Sequence, residues 1–506
     1  MDSLPASQDL TRTGADAPPD PHALYEEVGG MLEALGGEAA AIAADWPSVE
    51  RAAFAEGRDN LAHYLALRRR DLRPLQRALM VLGLSSLGRL EGRVVPTLEA
   101  VRASLAALAG LPAAARPGPV AFFAGERMLE RQAAEVLGPA NPQRATRLLV
   151  TCPSMAADAP EFMLDLARRG VEAVRINCAH DDAEAWGCMI GHLRSAEAAT
   201  GRRMRVLMDL AGPKIRTGAL LLPTQGARVV EGDRLAIVPP GGLAAAPADI
   251  AGFAAECTLG EVIGMVRAGQ RVFLDDGKFG GVIEQAAPWG LLARIDHAPE
   301  DGAKLKSEKG INFPDTALSC AALSDKDRQD LAFIAAHADG VEYSFVQSAE
   351  DVRLLQAELA RLRPDDWQAL SLVLKIETTR AVRALPGIVA QAAAHQPTAI
   401  MIARGDLAVE IGFARLAEMQ EEILWLGEAA HVPVIWATQV LETLICKGAP
   451  SRGEMTDAAM GARAEAIMLN KGPHLPRAIA ELDTLLRRMG EHQHKKTPQL
   501  RRLTSW

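Results

Sequence analysis

Apolar residues recur at helical spacing from residue 22 to about 112. Leu24, Val28, Leu32 and Leu35 make one stripe, Leu61, Tyr64 and Leu65 a second, and Leu98, Val101, Leu105 and Leu108 a third. The last of these helices starts at Pro96-Thr97 and stops at Gly110-Leu111-Pro112. LPAAARPGP (111–119) then reads as a linker, which closes a helical region over 22–120. Residues 1–21 read as a disordered leader. From about residue 145 the texture changes to short apolar runs, each followed by a helix-sized segment: RLLVTC, AVRINCA, RVLMDL, GVEYSF, LVLKIE, AIMIARGDL, VPVIWATQV and AEAIMLN. One such segment, SDKDRQDLAFIAAHA (324–338), has Ser324 placed as an N-cap. Eight strands alternating with helices predict an α/β fold, a closed (β/α)8 barrel of the TIM type.

One spacing breaks the alternation. About 125 residues separate the third run from the fourth, too many for a crossover. Within them, 219–305 carry short alternating runs such as ARVVEGDRLAIV and QRVFLDDGKFGGVI, the pattern of a small β-barrel domain inserted into a barrel loop. The catalytic barrel is therefore expected over 145–218 and 306–490, with a basic tail from 491 to 506.

Composition narrows the class. At 506 residues the chain exceeds one ordinary core, and 24% charged with 49% hydrophobic residues is a soluble globular balance. A net charge of -9 argues against general nucleic-acid binding. The six cysteines (152, 178, 188, 257, 320 and 446) form no CxxC pair or zinc spacing, so free thiols are expected. No stretch approaches the length of a membrane span, and the acidic N-terminus is neither a secretory signal nor a transit peptide. The expected location is cytoplasmic. Arg68-Arg69-Arg70 reads either as an anion-binding run or as a solvated helix face.

In such a barrel the chemistry sits at the C-terminal ends of the strands. Those ends carry Arg175 and Asn177, then Asp209, Lys214 and Arg216, Lys375 and Glu377, Arg404 and Asp406, and Thr438 with Gln439. Lys375 and Glu377 are two apart on a strand and so share a face. Glu377 and Asp406, from adjacent strands, suit a hard divalent cation such as Mg²⁺. Lys375, Arg175 and Arg216 then face an anion, which suggests phosphate. Gly405 lets backbone N–H groups approach a ligand. Each pair alone also reads as a structural ion pair, and MDLAGPKIRTG (208–218) alone as a solvated turn. Five polar strand ends in a row exceed what a purely structural barrel needs.

MDLAGPKIRTG, LDDGKFGGVI, SEKGINFPDTALSCAALSDKDRQDL, SFVQSAEDV, LVLKIE, MIARGDLAVEI, ATQVLETLICKGAPSRGEMTDAA and AIMLN, in that order, resemble the pyruvate kinase family over about 147–472. The resemblance implies a barrel with an inserted β domain closing over a nucleotide. It further implies phosphoryl transfer from phosphoenolpyruvate to ADP, giving pyruvate and ATP, with Mg²⁺ as cofactor and Mn²⁺ as an alternative. Carried over by position, Glu377 and Asp406 bind the metal, and Lys375 stabilises the phosphoryl group in flight. Arg175 and Arg216 hold phosphate, while Asn177, His180, Arg216 and Lys309 lie on the nucleotide side. Gly405, Asp406 and Thr438 hold the substrate carboxylate, and Thr438 lies on the route that protonates the enolate.

The chain departs from that pattern in ways that matter. RINCAH puts Ala179 where the family's K⁺ site has a serine, while Asp209 remains and Lys214 stands where K⁺-dependent members have Glu. A tethered ammonium in place of a bound ion predicts that K⁺ is not required. VTCPSMAADAP is shorter than the family's first loop, Asp181 replaces Gly, and NKGPHLP stands where the family usually reads SGET. The tail EHQHKKTPQLRRLTSW is too short for the family's effector-binding domain. A homo-oligomer, a dimer through the barrel, is expected, with no nucleic-acid or membrane partner. Two other readings stay open: a Mg²⁺-dependent lyase or aldolase-type barrel acting on a 2-oxo acid, and a catalytically weak metabolite-binding relative.

Overall fold

A computed structural model describes residues 18–224, 226–247, 251–318, 322–499 and 501–502. The chain divides into two compact units, Met1–Asp45 with Glu56–Arg127, and Trp46–Ala55 with Met128–Trp506. Most of the expected leader lies outside the described residues. Of the cysteines, 152, 178, 188, 257 and 446 are free thiols, and Cys320 falls outside the described residues. Among the described residues no helix is long and apolar enough to cross a membrane.

The first unit is helical. Pro21–Ile42 starts on Asp20, whose carboxylate accepts the His22 N–H, and buries Leu24, Val28 and Leu35. Helices Ala55–Leu67, Arg73–Val81 and Val94–Leu108 follow. The last begins two residues ahead of the expected Pro96 start; proline is tolerated in a first turn because its missing N–H has no helical partner there. Leu108, expected in its apolar stripe, is exposed. In the arginine run, Arg70 forms a two-pronged pair with Glu38 and Arg68 donates to the Tyr64 hydroxyl.

In the second unit all eight expected strands form: β1 Arg147–Thr151, β2 Ala173–Asn177, β3 Arg205–Asp209, β4 Gly340–Tyr343, β5 Ser371–Ile376, β6 Thr398–Ala403, β7 Val434–Ala437 and β8 Ala466–Leu469. They pair in parallel, each with its sequence neighbours, and β8 closes back on β1 through Arg147–Ala466 to Val150–Leu469. Strands buried on both faces need near-continuous apolar runs, which is why each reads that way. Leu149, Leu207, Val373, Met401, Ile435 and Met468 fill the barrel, and Val136 and Leu137 pack into the same core. Ser324 caps helix Asp325–His337 in a capping box with Asp327, as its sequence predicts.

The expected inserted β domain forms as a seven-stranded sheet, ordered Ile311–Asn312, Arg271–Leu274, Phe279–Ala287, Gly290–His297, Arg234–Val238, Phe253–Cys257, Thr217–Leu221. Its edge strands approach each other through an antiparallel bridge between Arg216 and Gly310. The sheet therefore runs from 217 to 312, wider at both ends than the alternating texture indicated. Gln493–His494 pairs with Thr497–Pro498, and Lys495 at the turn inserts its ammonium between the Glu465 carboxylate and the Arg463 carbonyl. Burial pushes the Lys495 pKa down to about 8.

Arg144, fully buried, joins the start of the barrel to its last helix. It donates to Asp483 at 3.0 Å, to Glu172 at 3.0 Å, and to the carbonyls of Thr146 and Gly170. Removing such a cation strands buried carboxylates, so Arg144→Met is expected to cost about 3–5 kcal/mol, read as a lower urea midpoint by circular dichroism. An unchanged midpoint contradicts this account of the network.

Candidate active site

At the C-terminal end of the barrel a cavity of about 300 Å³ gathers Arg175, Asn177, His180, Asp209, Lys214, Arg216, Lys375, Glu377, Gly405, Asp406, Thr438 and Gln439. A larger cleft of about 630 Å³, bounded by Arg271, Phe313, Thr379 and Glu410, holds none of these residues.

Arg175, Asn177, Asp209 and Lys375 arrive by the two-residue period of their strands, the others from the loops and the helix that follow the strands. Asp209, the last residue of β3, accepts from Arg175 Nε at 3.1 Å, from Lys375 Nζ at 3.1 Å and from the Ser344 hydroxyl at 3.0 Å. Lys375 also donates to Ser344 Oγ at 2.6 Å and lies 3.3 Å from Glu377 Oε1. Arg175 reaches Glu342 Oε2 at 3.1 Å and Thr151 Oγ1 at 3.2 Å. Burial works against the charge on Lys375, but Asp209 and Glu377 outweigh it and raise its pKa. Burial likewise opposes the charge on Asp209, yet Arg175 and Lys375 hold its pKa below the ordinary value.

Glu377 follows β5, and its Oε2 accepts the Phe345 N–H at 2.6 Å. Asp406 lies in the first turn of helix Arg404–Ile411, whose leading N–H groups have no intrahelical partner. Lys214 Nζ stands 3.0 Å from both Asp406 oxygens, but only Oδ2 is aligned as an acceptor. The buried Oδ1 is left without a hydrogen bond. Of the two residues read at the monovalent-cation position, Lys214 pairs with Asp406 and not with Asp209. Asp209 ends its strand facing the barrel interior, where Arg175 and Lys375 reach it, whereas Lys214 lies further along the loop and meets Asp406.

The floor carries three cations, Arg175, Lys375 and Lys214, against four carboxylates, Asp209, Glu342, Glu377 and Asp406. Burial, then the neighbouring Asp209, pushes the Glu342 pKa up to about 7; burial raises that of Glu377. Two hard oxygen ligands and an unbonded carboxylate oxygen fit a divalent cation on Glu377 and Asp406. Among the described residues no group of three or more His, Cys, Asp or Glu offers a richer metal site.

Thr438 sits after β7 with φ +70°, and Gln439 follows at φ +57°. A β-branched residue in that region is strained and persists only where its surroundings hold it. Arg404 is the clamp: it donates to the carbonyls of Ala437 at 2.8 Å and Thr438 at 2.7 Å, pairs with Asp457, and lies 4.6 Å over the Trp436 ring. Gly405 packs against the same turn; a Cβ there would lie 2.9 Å from Thr438 Cγ2.

On another wall, Asn177 accepts the Ala179 N–H and Arg216 donates to the Glu308 carbonyl. Burial, then Lys471, lowers the His180 pKa. Lys309 does not line this cavity; its ammonium is 2.8 Å from Asp275. Ser344, Glu342, Thr151 and Lys471 belong to the site although sequence reasoning passed over them. The period-two rule used for Lys375 and Glu377 finds Glu342 and Ser344 in GVEYSF.

A family model described as "Pyruvate kinase, barrel domain" matches residues 137–472. The chain belongs to the pyruvate kinase family. It is 29% identical over 318 residues to "Pyruvate kinase 2" of Synechocystis sp., covering 62% of this chain and 51% of that protein. It is 30% identical over 344 residues to "Pyruvate kinase" of Corynebacterium efficiens, covering 66% and 67%. With "Pyruvate kinase" of Mycobacterium intracellulare it shares 32% over 321 residues, 62% and 63%. The chain thus spans between about half and two thirds of these relatives, and the barrel with its insert is the shared part.

The close approach at Gly405 generates a prediction. Gly405→Ala is expected to displace the Thr438 turn and lower turnover by roughly 100-fold, the scale of a reacting group misplaced by about 1 Å, with little loss of thermal stability. Full activity in the variant contradicts a positional role for this contact.

Proposed function

We propose that the chain transfers the phosphoryl group of phosphoenolpyruvate to ADP, giving pyruvate and ATP. The observation carrying this reading is the buried Lys375 ammonium. It is kept charged by Asp209 and Glu377 and faces a cavity bordered by the Glu377–Asp406 pair and the Thr438 turn. Phosphoryl transfer needs little covalent help from a protein; it needs positioning and fixed positive charge around oxygens that gain negative charge. Mg²⁺ on Glu377 and Asp406 would polarise phosphoryl oxygens and offset the negative charge that the substrates bring.

In this reading Lys375 donates to the oxygens of the moving phosphoryl group and then to the enolate oxygen. The bond from phosphorus to the enol oxygen breaks as one forms to an ADP oxygen, and the enolate carbon then takes a proton. Thr438 lies on the route of that proton, and the first-turn N–H groups at Gly405 and Asp406 hold the substrate carboxylate. Arg175, locked between Asp209 and Glu342, presents a fixed guanidinium to phosphate. Asn177, His180 and Arg216 serve the nucleotide. Lys214 supplies a permanent positive charge beside Asp406, and Ala179 offers no hydroxyl to a monovalent ion. K⁺ is then dispensable.

The test is pyruvate formation from phosphoenolpyruvate, ADP and Mg²⁺, with and without K⁺. Equal rates in both buffers are expected, with Lys375→Met losing roughly 100- to 1,000-fold, the scale of one lost charge-stabilising donor. Activity that appears only with K⁺ overturns the role given to Lys214. Absence of pyruvate in both buffers overturns the reaction.

A further inference from the structure

The helical unit has a cavity of its own. It has a volume of about 560 Å³, within the range of small-molecule sites. Helices Pro21–Ile42 and Val94–Leu108 form two walls, and His63 of helix Ala55–Leu67 and residues 114–117 complete it. Val95, Glu99 and Arg102, at helical spacing, present one face of their helix to it.

Arg102 is held in place before any ligand arrives. Its guanidinium lies 4.6 Å over the Tyr25 ring and against Gly29, where a Cβ would stand 3.1 Å from Nε. Glycine inside a helix costs roughly 0.5–1 kcal/mol relative to alanine, and at Gly29 the room for this guanidinium explains it. Yet Arg102 Nε is buried with no hydrogen-bond partner. Glu99, three residues back on the same face, has the spacing of a helix ion pair, but the two side chains form none. Glu33 and Arg116 add a second charge of each sign, and they too form no ion pair among the described residues. Gly36, about two turns after Gly29, also lines the cavity, and a Cβ there would meet nothing within 4 Å.

Two carboxylates and two guanidiniums that do not pair with each other favour neither a polyanion nor a polycation; they suit a ligand that carries both signs. A planar guanidinium stacked on an aromatic ring is pre-organised for a carboxylate. Leu32 and Val95 offer apolar surface to the carbons between the ligand's charges. We propose that this cavity binds a small zwitterion, its carboxylate on Arg102 and its ammonium on Glu99. The site is independent of the reaction proposed for the barrel.

The test uses the full chain, with affinities from saturation-transfer NMR and calorimetry. The probes are 4-aminobutyrate and L-alanine, with butyrate and butylamine as partners that each carry one charge. At least one zwitterion should bind saturably, and the single-charge partners roughly 10- to 100-fold more weakly, the range of one charge-assisted hydrogen bond. Arg102→Met and the exposed Glu99→Gln should each weaken the zwitterion by a similar factor. Gly36→Leu should abolish binding by filling the cavity, with an equal or higher melting temperature because leucine is the better helix former. Saturating phosphoenolpyruvate should leave the affinity unchanged. No saturable binding of either zwitterion, equal affinity for the single-charge partners, or full binding in Gly36→Leu overturns the site. Displacement by phosphoenolpyruvate places the ligand in the barrel and overturns it as well.

Discussion

Asp209 is met from three directions, by the Arg175 guanidinium, the Lys375 ammonium and the Ser344 hydroxyl. In a buried setting two cations so close together would repel strongly without a shared anion, and an isolated carboxylate would take up a proton. Each of the three charges is tolerated because the others are there. The barrel makes this possible: β2, β3 and β5 deliver the side chains from a rigid ladder, with Arg175 paired in register to Leu207 and Asn177 to Asp209. The ionic floor therefore depends on backbone pairing that runs through these very residues.

The floor's balance extends outward through Glu377 and Asp406. Glu377 is fixed by the Phe345 N–H and by its closeness to Lys375, while Asp406 rides on a helix whose first residue, Arg404, also clamps the strained turn at Thr438. A displacement of that helix thus moves a carboxylate and the Thr438 carbonyl together. Such coupling explains why Gly405, which offers no side chain, is as constrained as its charged neighbours. It separates the helix from the turn by less than a methyl group allows.

The barrel was legible in the sequence because strands buried on both faces must be near-continuously apolar, and RLLVTC, LVLKIE and AEAIMLN are, apart from polar residues at or near their ends. The strand-end residues were legible for the converse reason: charges where burial is greatest require partners. What escaped was partnership itself. Lys309 is drawn away from the cavity by Asp275, Lys214 meets Asp406 rather than Asp209, and loop conformation decides both. Glu342 lies inside an apolar run and shows its role only when Arg175 is seen across the barrel. The insert's true edges, Thr217 and Ile311, and the two-residue strands of the tail are too short to carry a period. They are fixed by pairing with segments distant along the chain.

The cavity has two kinds of wall, and electrostatics gives them different work. On the floor, cations and carboxylates largely cancel, so a ligand gains orientation there more than raw attraction; desolvating such pairs yields little net energy by itself. On the wall formed by His180, Arg216 and Lys471, Asp181 bears on His180 against Lys471 and Arg216, and the Arg216 guanidinium meets a neutral acceptor, the Glu308 carbonyl. A phosphoryl donor held by geometry and an acceptor held by charge are what a transfer between two anions demands. The acceptor brings phosphate charge of its own toward the donor's, and that repulsion must be offset before the oxygens approach. In the proposed reaction, cations on the acceptor side would supply that offset without loosening the network that aligns the donor.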